Sequence, residues 1–418
     1  MQNSKAASFN EVADVIFASV KASSEKKDSS RYTYVIGNNG TGKSRILGAL
    51  AERFGKIRSQ RIIACIASTI HDRFVFGDHR NVRYMGARST SNAVFLSALD
   101  RQLAKFILEA MLIDRRLFRH LARAVGMDLS FVVDAKSFEE VLSSSDKDTR
   151  ERKRITGRAT SRGLLTPRAL AMLRRISNGT GRFEDLTEAQ IPTLLKYLEL
   201  NIGFSIQIQL GNGQLIGFGD LSTGEQSRLL LFAKIVSVLR EGTIYLIDEP
   251  EISMHLHWQM DFHKTLEKLL SGLERFYVVV ATHSPIIISE AVKVDKASAS
   301  NTVAVLNRKY LPSDDQPDIG LWNGQITCKF HSFADVASHE QLVLRYFQTS
   351  PYQTREVSVE VADVVLSLAE GDKNKEEAIG LLYELRAVIG LSKEAEHQID
   401  AAIALVKNDL VESIKVPG

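Results

Sequence analysis

The octet GNNGTGKS, residues 37–44, constrains this chain more than any other stretch of its sequence. It ends the β-rich run RYTYVIG, opens the helical pattern TGKSRILGALAERFG, and is followed by a second β-type run, RIIACIAS. Strand, loop, helix and strand in this order begin a parallel α/β sheet. The glycines let backbone N–H groups converge on phosphate oxygens, and the positive end of the helix dipole adds to the attraction. The octet therefore predicts a phosphate-binding loop.

Two residues of this loop have specific expected roles. Lys43 should reach the β- and γ-phosphates of a nucleotide, and Ser44 should ligate Mg²⁺. A glycine-rich turn that binds nothing is the alternative, but the agreement of strand, loop, Lys-Ser pair and helix disfavours it. The residues predicted to bind the nucleotide are Gly37, Asn38, Asn39, Gly40, Thr41, Gly42, Lys43, Ser44 and Arg45.

A second motif, IYLIDEP, places two carboxylates at the end of a buried-strand pattern. In an open α/β sheet, ligands bind at the carboxyl ends of the strands, so these residues should lie beside the phosphate loop. Asp248 is then expected to hold the Mg²⁺, and Glu249 to polarise a water for in-line attack on the γ-phosphate. The alternative is an acidic pair that only caps the turn into the next helix.

A third strand pattern, VVVATHSP, ends at His283. An imidazole in this place can hydrogen-bond a γ-phosphate oxygen. A single histidine at a strand end is more often an ordinary residue, but three motifs that agree favour the functional interpretation. The predicted catalytic residues are Lys43, Glu249 and His283.

The stretch LSTGEQSRLLL, residues 221–231, predicts a helix that begins with a hydroxyl residue, a glycine and an acid. Such a start is suited to holding an anion. In chain order, GNNGTGKS, LSTGEQ, IYLIDEP and ATHSP resemble the phosphate loop, signature, Walker B and switch-histidine motifs of the ABC ATPase superfamily.

Further motifs narrow this resemblance. DEPEISMHLHWQ is similar to the corresponding run of the RecF, SMC and OLD branch rather than to that of membrane transporters. STIHDRF, followed by VRYMGARSTSN, is similar to stand-alone AAA-type ATPases of prokaryotic antiphage systems, such as the Septu and retron-associated kind. The motifs lie within Tyr34–Gly48 and Phe204–Ser289.

The resemblance implies a homodimer, or a higher homo-oligomer, that closes around two ATP molecules with Mg²⁺. Lys43, Ser44, Asp248, Glu249 and His283 would then serve one nucleotide. The signature residues would act in trans on the nucleotide of a second subunit; they are Ser222, Thr223, Gly224 and Glu225. Ser253 and His255 would lie in the loop that joins the two sites.

One position departs from the family pattern. The family usually carries a glutamine after the second strand, where it contacts Mg²⁺ and the attacking water. CIASTIHDRF offers Ser68, Thr69, His71 and Asp72 instead. No residue is assigned to this role.

The fold expected from these patterns is α/β, a P-loop ABC ATPase head with a mostly parallel sheet. Residues 1–86 and 201–310 should form the ATPase core. FSIQIQLGNGQLIGFG predicts a β-hairpin from about Phe204 to Phe218. Residues 87–200 should form a helical insertion with a basic segment, and residues 311–418 a mainly helical C-terminal region.

Two basic stretches leave nucleic acid open as a partner. KDTRERKRITGRATSRG is interpreted as a flexible segment that could neutralise phosphates, with a solvated loop as the alternative. LIDRRLFRHLARAVG places several arginines on one helix face, although an ordinary amphipathic helix is as good an explanation. These arginines are Arg115, Arg116, Arg119 and Arg123.

The remaining expectations concern place and partners. The chain shows no membrane-length apolar run and no signal-peptide pattern, so we expect a cytoplasmic protein without a membrane partner. The helical tail after Glu370 has no room for the acidic pair of a TOPRIM nuclease, so a nuclease would be a separate chain. The predicted function is an ATP-hydrolysing sensor or regulator subunit of an antiphage or DNA-related complex with a separate effector. The alternatives are a DNA-binding repair or maintenance ATPase of the RecF and SMC type and, less favoured, a transporter's nucleotide-binding subunit.

Overall fold

The structure is a computed structural model that describes residues 9–24, 31–38, 40–57, 61–86, 88, 99–134, 150–210, 212–295, 300–310, 322–335, 354–388, 391 and 393–407. The strands are β1 (Arg31–Gly37), β2 (Ile63–Ala67), β3 (Val82–Met85), β4 (Asp128–Val133), β5 (Phe204–Gln209), β6 (Leu215–Gly217), β7 (Ile244–Asp248), β8 (Tyr277–Thr282), β9 (Thr302–Tyr310) and β10 (Trp322–Ser332).

The first seven α-helices are α1 (Phe9–Ser24), α2 (Lys43–Lys56), α3 (Leu99–Ile113), α4 (Arg116–Val125), α5 (Arg150–Ser161), α6 (Pro167–Ser177) and α7 (Gln190–Leu198). They are followed by α8 (Thr223–Val236), α9 (Leu256–Leu270), α10 (Pro285–Asp295), α11 (Thr354–Ala369), α12 (Lys375–Arg386) and α13 (Lys393–Lys407). None of the helices in the described ranges is long and apolar enough to cross a membrane.

The predicted α/β fold with a mostly parallel sheet is confirmed. The chain folds as two compact units, residues 1–12, 33–43 and 282–418, and residues 13–32 and 44–281. In the first unit β9 pairs in parallel with β1 and antiparallel with β10. In the second unit β8, β7, β2 and β3 pair in parallel in this order.

The central strands of the second unit are buried along their whole length. Every residue of β2, β7 and β8 is buried. Strands covered on both faces read as continuous apolar runs rather than as an alternating pattern. This burial explains why IYLID and YVVVAT carry so few polar side chains before their last residues.

The predicted hairpin is also confirmed, because β5 pairs antiparallel with β6. The insertion is less uniformly helical than expected, since it contributes β4, which pairs antiparallel with β5. Burial alternates along β4, with Leu129, Phe131 and Val133 on the buried side. A six-residue alternation is weak evidence inside a helical region, so the sequence analysis missed this strand.

The interpretation of the basic segment as flexible is wrong for the part that the structure describes. Residues 150–161 form α5, and residues 147–149 lie outside the described ranges. Ile155 and Ala159 are buried one helical turn apart, and Leu164 is buried just beyond the helix. Two apolar positions among many basic ones gave too faint a periodicity to predict the helix.

The C-terminal region contains both a strand and helices. β10 precedes the expected helices and was not predicted, while the predicted loop around residues 312–318 lies outside the described ranges. α11, α12 and α13 share a hydrophobic core of their own, which includes Val364, Leu382 and Ile399. The expected helical tail is therefore confirmed.

Candidate nucleotide site

The phosphate loop leads directly into α2, which begins at Lys43. The loop is stabilised by Thr41, whose backbone N–H and hydroxyl both donate to the carbonyl of Asn38, at 3.2 and 2.8 Å. Gly42 has a left-handed φ of 90°, and a Cβ there would lie 2.1 Å from the Phe9 ring. Only glycine fits this position. Asn39, a predicted binding residue, lies outside the described ranges.

The ammonium of Lys43 is buried against the loop. Its Nζ donates to the carbonyls of Gly37 and Asn38, at 2.7 and 3.3 Å, and lies 3.1 Å from Nδ1 of His283. An ammonium has only donors, so Nδ1 must accept and the neutral imidazole carries its proton on Nε2. The structure therefore brings two of the predicted catalytic residues into contact.

Local structure explains the place of His283. β8 ends at Thr282, whose hydroxyl accepts from the Ser284 N–H at 2.9 Å. The Ser284 hydroxyl in turn accepts from the Ile287 N–H at 3.3 Å, and α10 begins at Pro285. Proline suits the first helical position because its missing N–H has no partner there. The THSP sequence thus turns the chain from strand to helix and holds His283 at the turn.

Ser44, the residue after Lys43, contacts the acidic motif IYLIDEP. Ser44 Oγ donates to Oδ1 of Asp248 at 3.2 Å, and Asp248 is 1% exposed at the end of β7. The pKa of Asp248 is raised to about 7, mainly by burial and to a smaller extent by the charge of Glu249, while the Ser44 hydrogen bond acts in the opposite direction. A buried carboxylate of this kind gains from a nearby cation.

The donors at this point fit Mg²⁺. Mg²⁺ prefers oxygen ligands and is usually held by one or two protein groups together with phosphate oxygens and water. Ser44 and Asp248 supply a hydroxyl and a carboxylate in contact with each other. Within the described ranges no group of three or more His, Cys, Asp or Glu side chains could hold a metal, so a cage built from protein alone is not present there.

Glu249 has an unusual backbone. Its φ is 49°, and its N–H donates to the carbonyl of Ala281 at 2.9 Å. A left-handed conformation is strained for a residue other than glycine and is common at functional sites. The left-handed residue thus comes directly after Asp248, at the end of β7. The sequence predicted the two carboxylates but contained no signal for the strain.

Of the four residues found after β2, where the family usually carries a glutamine, the structure gives one a clear structural role. Asp72 accepts from the Phe74 N–H, the Tyr84 hydroxyl, and Nε and Nη2 of Arg88, at 3.1, 2.9, 3.2 and 2.6 Å. A carboxylate with four donors has no capacity left for a metal ion. Burial, followed by the charge of Asp72, raises the pKa of Tyr84 to about 12. Asp72 therefore anchors its loop, and sequence analysis missed both partners. His71 is exposed, while Ser68 and Thr69 are half-buried.

The signature stretch forms the start of α8. Ser222 is the N-cap, and its hydroxyl accepts from the Glu225 N–H at 3.3 Å. The Glu225 carboxylate accepts from the N–H and hydroxyl of Ser222, at 2.9 and 2.7 Å, which completes a capping box. The amides of Thr223 and Gly224 belong to the first turn, where N–H groups have no intrahelical acceptor. The predicted anion site is thus the exposed start of a well-capped helix.

The loop after β7 packs on this helix start. Ser253 has a left-handed φ of 64°, and a Cβ on Gly224 would lie 2.4 Å from the Ser253 carbonyl oxygen. His255 is the N-cap of α9, and its Nδ1 accepts from the His257 N–H at 3.3 Å. The two residues expected in the inter-site loop therefore lie in a tight turn beside the signature helix of the same chain.

A phosphate loop before α2, with a buried carboxylate at the end of a parallel strand, defines a P-loop nucleotide-binding ATPase fold. The chain belongs to the family described as AAA domain, putative AbiEii toxin, Type IV TA system, whose model matches residues 33–289. This match confirms the predicted resemblance to AAA-type ATPases.

Two further similarities are limited. A segment of 73 residues is 33% identical to Protein ea59 of Escherichia phage lambda, covering 18% of this chain and 14% of that protein. The Smc head domain with an extended coiled coil, bound to the C-terminal domain of ScpA, from Pyrococcus furiosus, is 12% identical. That similarity covers 73% of this chain and 91% of the Smc chain with a TM-score of 0.28, so the fold rests on the sheet and the family match alone.

Proposed function

We propose that this protein hydrolyses ATP with Mg²⁺. The observation that carries the proposal is the pairing at two consecutive residues, Lys43 with His283 and Ser44 with Asp248. Each pair joins the phosphate loop to a strand end, where P-loop proteins bind the terminal phosphates and the metal. A glycine-rich turn that binds nothing does not explain either pair.

The residues divide the work as follows. Lys43 exchanges its contacts with the loop carbonyls for phosphate oxygens, and the Nε2–H group of His283 donates a hydrogen bond to a γ-phosphate oxygen. Glu249 polarises the attacking water and acts as its general base. Ser44 and Asp248 would hold Mg²⁺, which neutralises charge on the phosphate oxygens when it is bound.

We further propose that ATP closes two copies of the chain on each other. Ser222 and Thr223 are exposed at the start of α8, while Gly224 is buried. The first-turn amides of such a helix start would form a site for an anion. A γ-phosphate held by Lys43 of another copy would satisfy that site, and ADP would not. Because a ligand shifts an equilibrium only through its differential affinity, ATP should favour the closed pair.

Glu249→Gln tests both parts of this proposal. The variant should bind ATP, lose hydrolysis by roughly two to four orders of magnitude because general base catalysis is removed, and accumulate as a pair with ATP but not with ADP. The measurements are phosphate release and light scattering after size exclusion. Ser222→Arg is the matched variant, since it should retain ATP binding by one subunit yet fail to pair. Pairing would be refuted if both variants and the wild type eluted alike with and without ATP.

We also propose that the protein is cytoplasmic and that its ATP-driven switch acts on a separate effector protein in an antiphage or DNA-related complex. Support comes from the description of the family, which refers to a toxin and a type IV toxin–antitoxin system. The test is co-expression with the product of the adjacent gene. We expect the two proteins to co-purify with ATP and the Glu249→Gln variant, and to separate when ADP replaces ATP; co-purification that ignores the nucleotide contradicts a switch.

A basic face on α4 favours a second candidate function, DNA-dependent hydrolysis. Arg116, Arg119 and Arg123 are exposed at helical spacing, and none of their guanidinium groups has a carboxylate partner among the residues that the structure describes. Duplex DNA should then stimulate hydrolysis with a steep salt dependence. Arg119→Gln should weaken the stimulation, and Arg168→Gln on α6 is the control. Equal stimulation of both variants would exclude α4 as the DNA site.

A further inference from the structure

Arg228 links the signature helix to the end of α4. Its Nη1 donates to the carbonyl of Val125 at 3.2 Å, and its Nη2 donates to that of Ala124 at 3.4 Å. These carbonyls belong to the last turn of α4, where no further helical N–H can reach them. A cation is also favoured at the negative end of a helix dipole. Arg228 of α8 thus caps a helix of the insertion.

The same guanidinium lies over an aromatic ring. Its Cζ is 5.6 Å from the ring centroid of Trp258 in α9, within the range of a cation–π interaction. Trp258 also contacts the start of the signature helix, because a Cβ on Gly224 would lie 2.9 Å from its ring. Three segments therefore meet at one side chain: the end of α4, the first two turns of α8 and the start of α9.

From this geometry we infer that Arg228 is a positioning residue that couples the insertion to the signature helix. Two carbonyls and an aromatic face together fix a planar guanidinium in orientation, which a lysine ammonium cannot reproduce. Arg228 therefore sets where the exposed start of α8 lies relative to α4. A displacement of α4, for example by a bound partner, would then move Ser222 and change the rate of hydrolysis in the facing subunit. The inference rests on the proposed role of Ser222 in trans.

Arg228→Met tests the coupling because it keeps the apolar stem and removes the charge and all donors. Hydrolysis should fall about 10- to 100-fold, the loss expected for a catalytic group displaced by about 1 Å. ATP affinity measured at a protein concentration where single subunits prevail should stay within about 2-fold, which is within the scatter of single surface changes. Arg228→Lys should lie between wild type and Arg228→Met, and Lys264→Met, exposed on α9, is the control.

A mixing experiment separates positioning from general damage. Lys43→Ala and Arg228→Met should each be nearly inactive alone. In a mixed pair, the intact phosphate loop of the Arg228→Met subunit meets the intact signature of the Lys43→Ala subunit. The mixture should therefore recover activity that neither variant has alone.

Three results would overturn the inference. If Arg228→Met hydrolyses ATP as fast as wild type, no positioning by Arg228 is needed. If the mixture recovers nothing while wild type still pairs with ATP and Arg228→Met unfolds at the wild-type denaturant concentration, Arg228 serves its own subunit. If wild-type activity per subunit is independent of protein concentration and no pair forms, the proposed pairing fails first and the coupling fails with it.

Discussion

Replacement of Lys234 by methionine should stabilise this protein at neutral pH. Lys234 is a buried residue of α8, and its Nζ donates to the carbonyl of Ala67 at 3.2 Å. Burial lowers the pKa of Lys234 from an ordinary 10.5 to about 8, and the charge of Asp72 acts in the opposite direction. Methionine has a similar length and no charge, so it fits the same space without this cost.

The sign and size of the effect follow from proton linkage. The folded pKa is lower than the unfolded one, so the unfolded chain binds more protons between pH 8 and 10.5 and stability rises with pH across this window. Below pH 8 the whole cost is present. The difference between the two pKa values corresponds to about 3 kcal/mol, and loss of the hydrogen bond from the charged ammonium to Ala67 costs about 2 kcal/mol. Lys234→Met should therefore gain about 1 kcal/mol at pH 7.

Urea unfolding at pH 7 and pH 10 measures this prediction. The advantage of Lys234→Met over wild type should shrink as the pH rises, because wild type regains stability as Lys234 loses its proton. Lys264→Met, which removes an exposed lysine of α9, should show no such trend. A variant that is less stable than wild type at pH 7, with a deficit that does not change with pH, would refute the reasoning.

Two further predictions concern contacts of the site. Arg88→Met should destabilise the fold by about 3–5 kcal/mol in urea unfolding, because it leaves the fully buried Asp72 carboxylate without its ion-pair partner. Lys56→Met removes an exposed ion pair and should cost about 0.5 kcal/mol or less. Equal losses of stability in the two variants would contradict the burial argument. Gly224→Ala places a Cβ 2.4 Å from the Ser253 carbonyl oxygen, so hydrolysis should fall on the order of 100-fold while single-subunit ATP binding persists, and unchanged phosphate release would contradict the packing.

The patterns of the sequence were informative where chemistry and local structure coincide. The phosphate loop combines special glycine conformations with a strand and a helix on either side, so its sequence specifies its structure almost completely. The strands at IYLID and YVVVAT were equally clear, since burial on both faces produces an unbroken apolar run. The start of α8 was visible from Ser222 and Glu225, which form a capping box at the expected spacing.

Other parts of the site depend on contacts that no local pattern encodes. In the Asp72 network, the side chains of Tyr84 and Arg88 must both reach the Asp72 carboxylate. The spacing of these three residues in the sequence does not predict that contact. The left-handed conformation of Glu249 is imposed by its surroundings, against the preference of the residue. Which residue, if any, takes over from the missing glutamine was equally beyond the sequence, and the structure removes only Asp72 from the choice.

The pairing of β1 with β9 affects how the protein can fold during its synthesis on the ribosome. Thr33 and Thr302 are partners in this pairing although 269 residues separate them. At roughly 5–20 residues per second, synthesis leaves β1 without that neighbour for about 13–54 s. During this interval an apolar strand edge next to the phosphate loop is open to wrong partners. A nascent chain stalled before β9 should therefore depend on chaperones far more than one stalled after it.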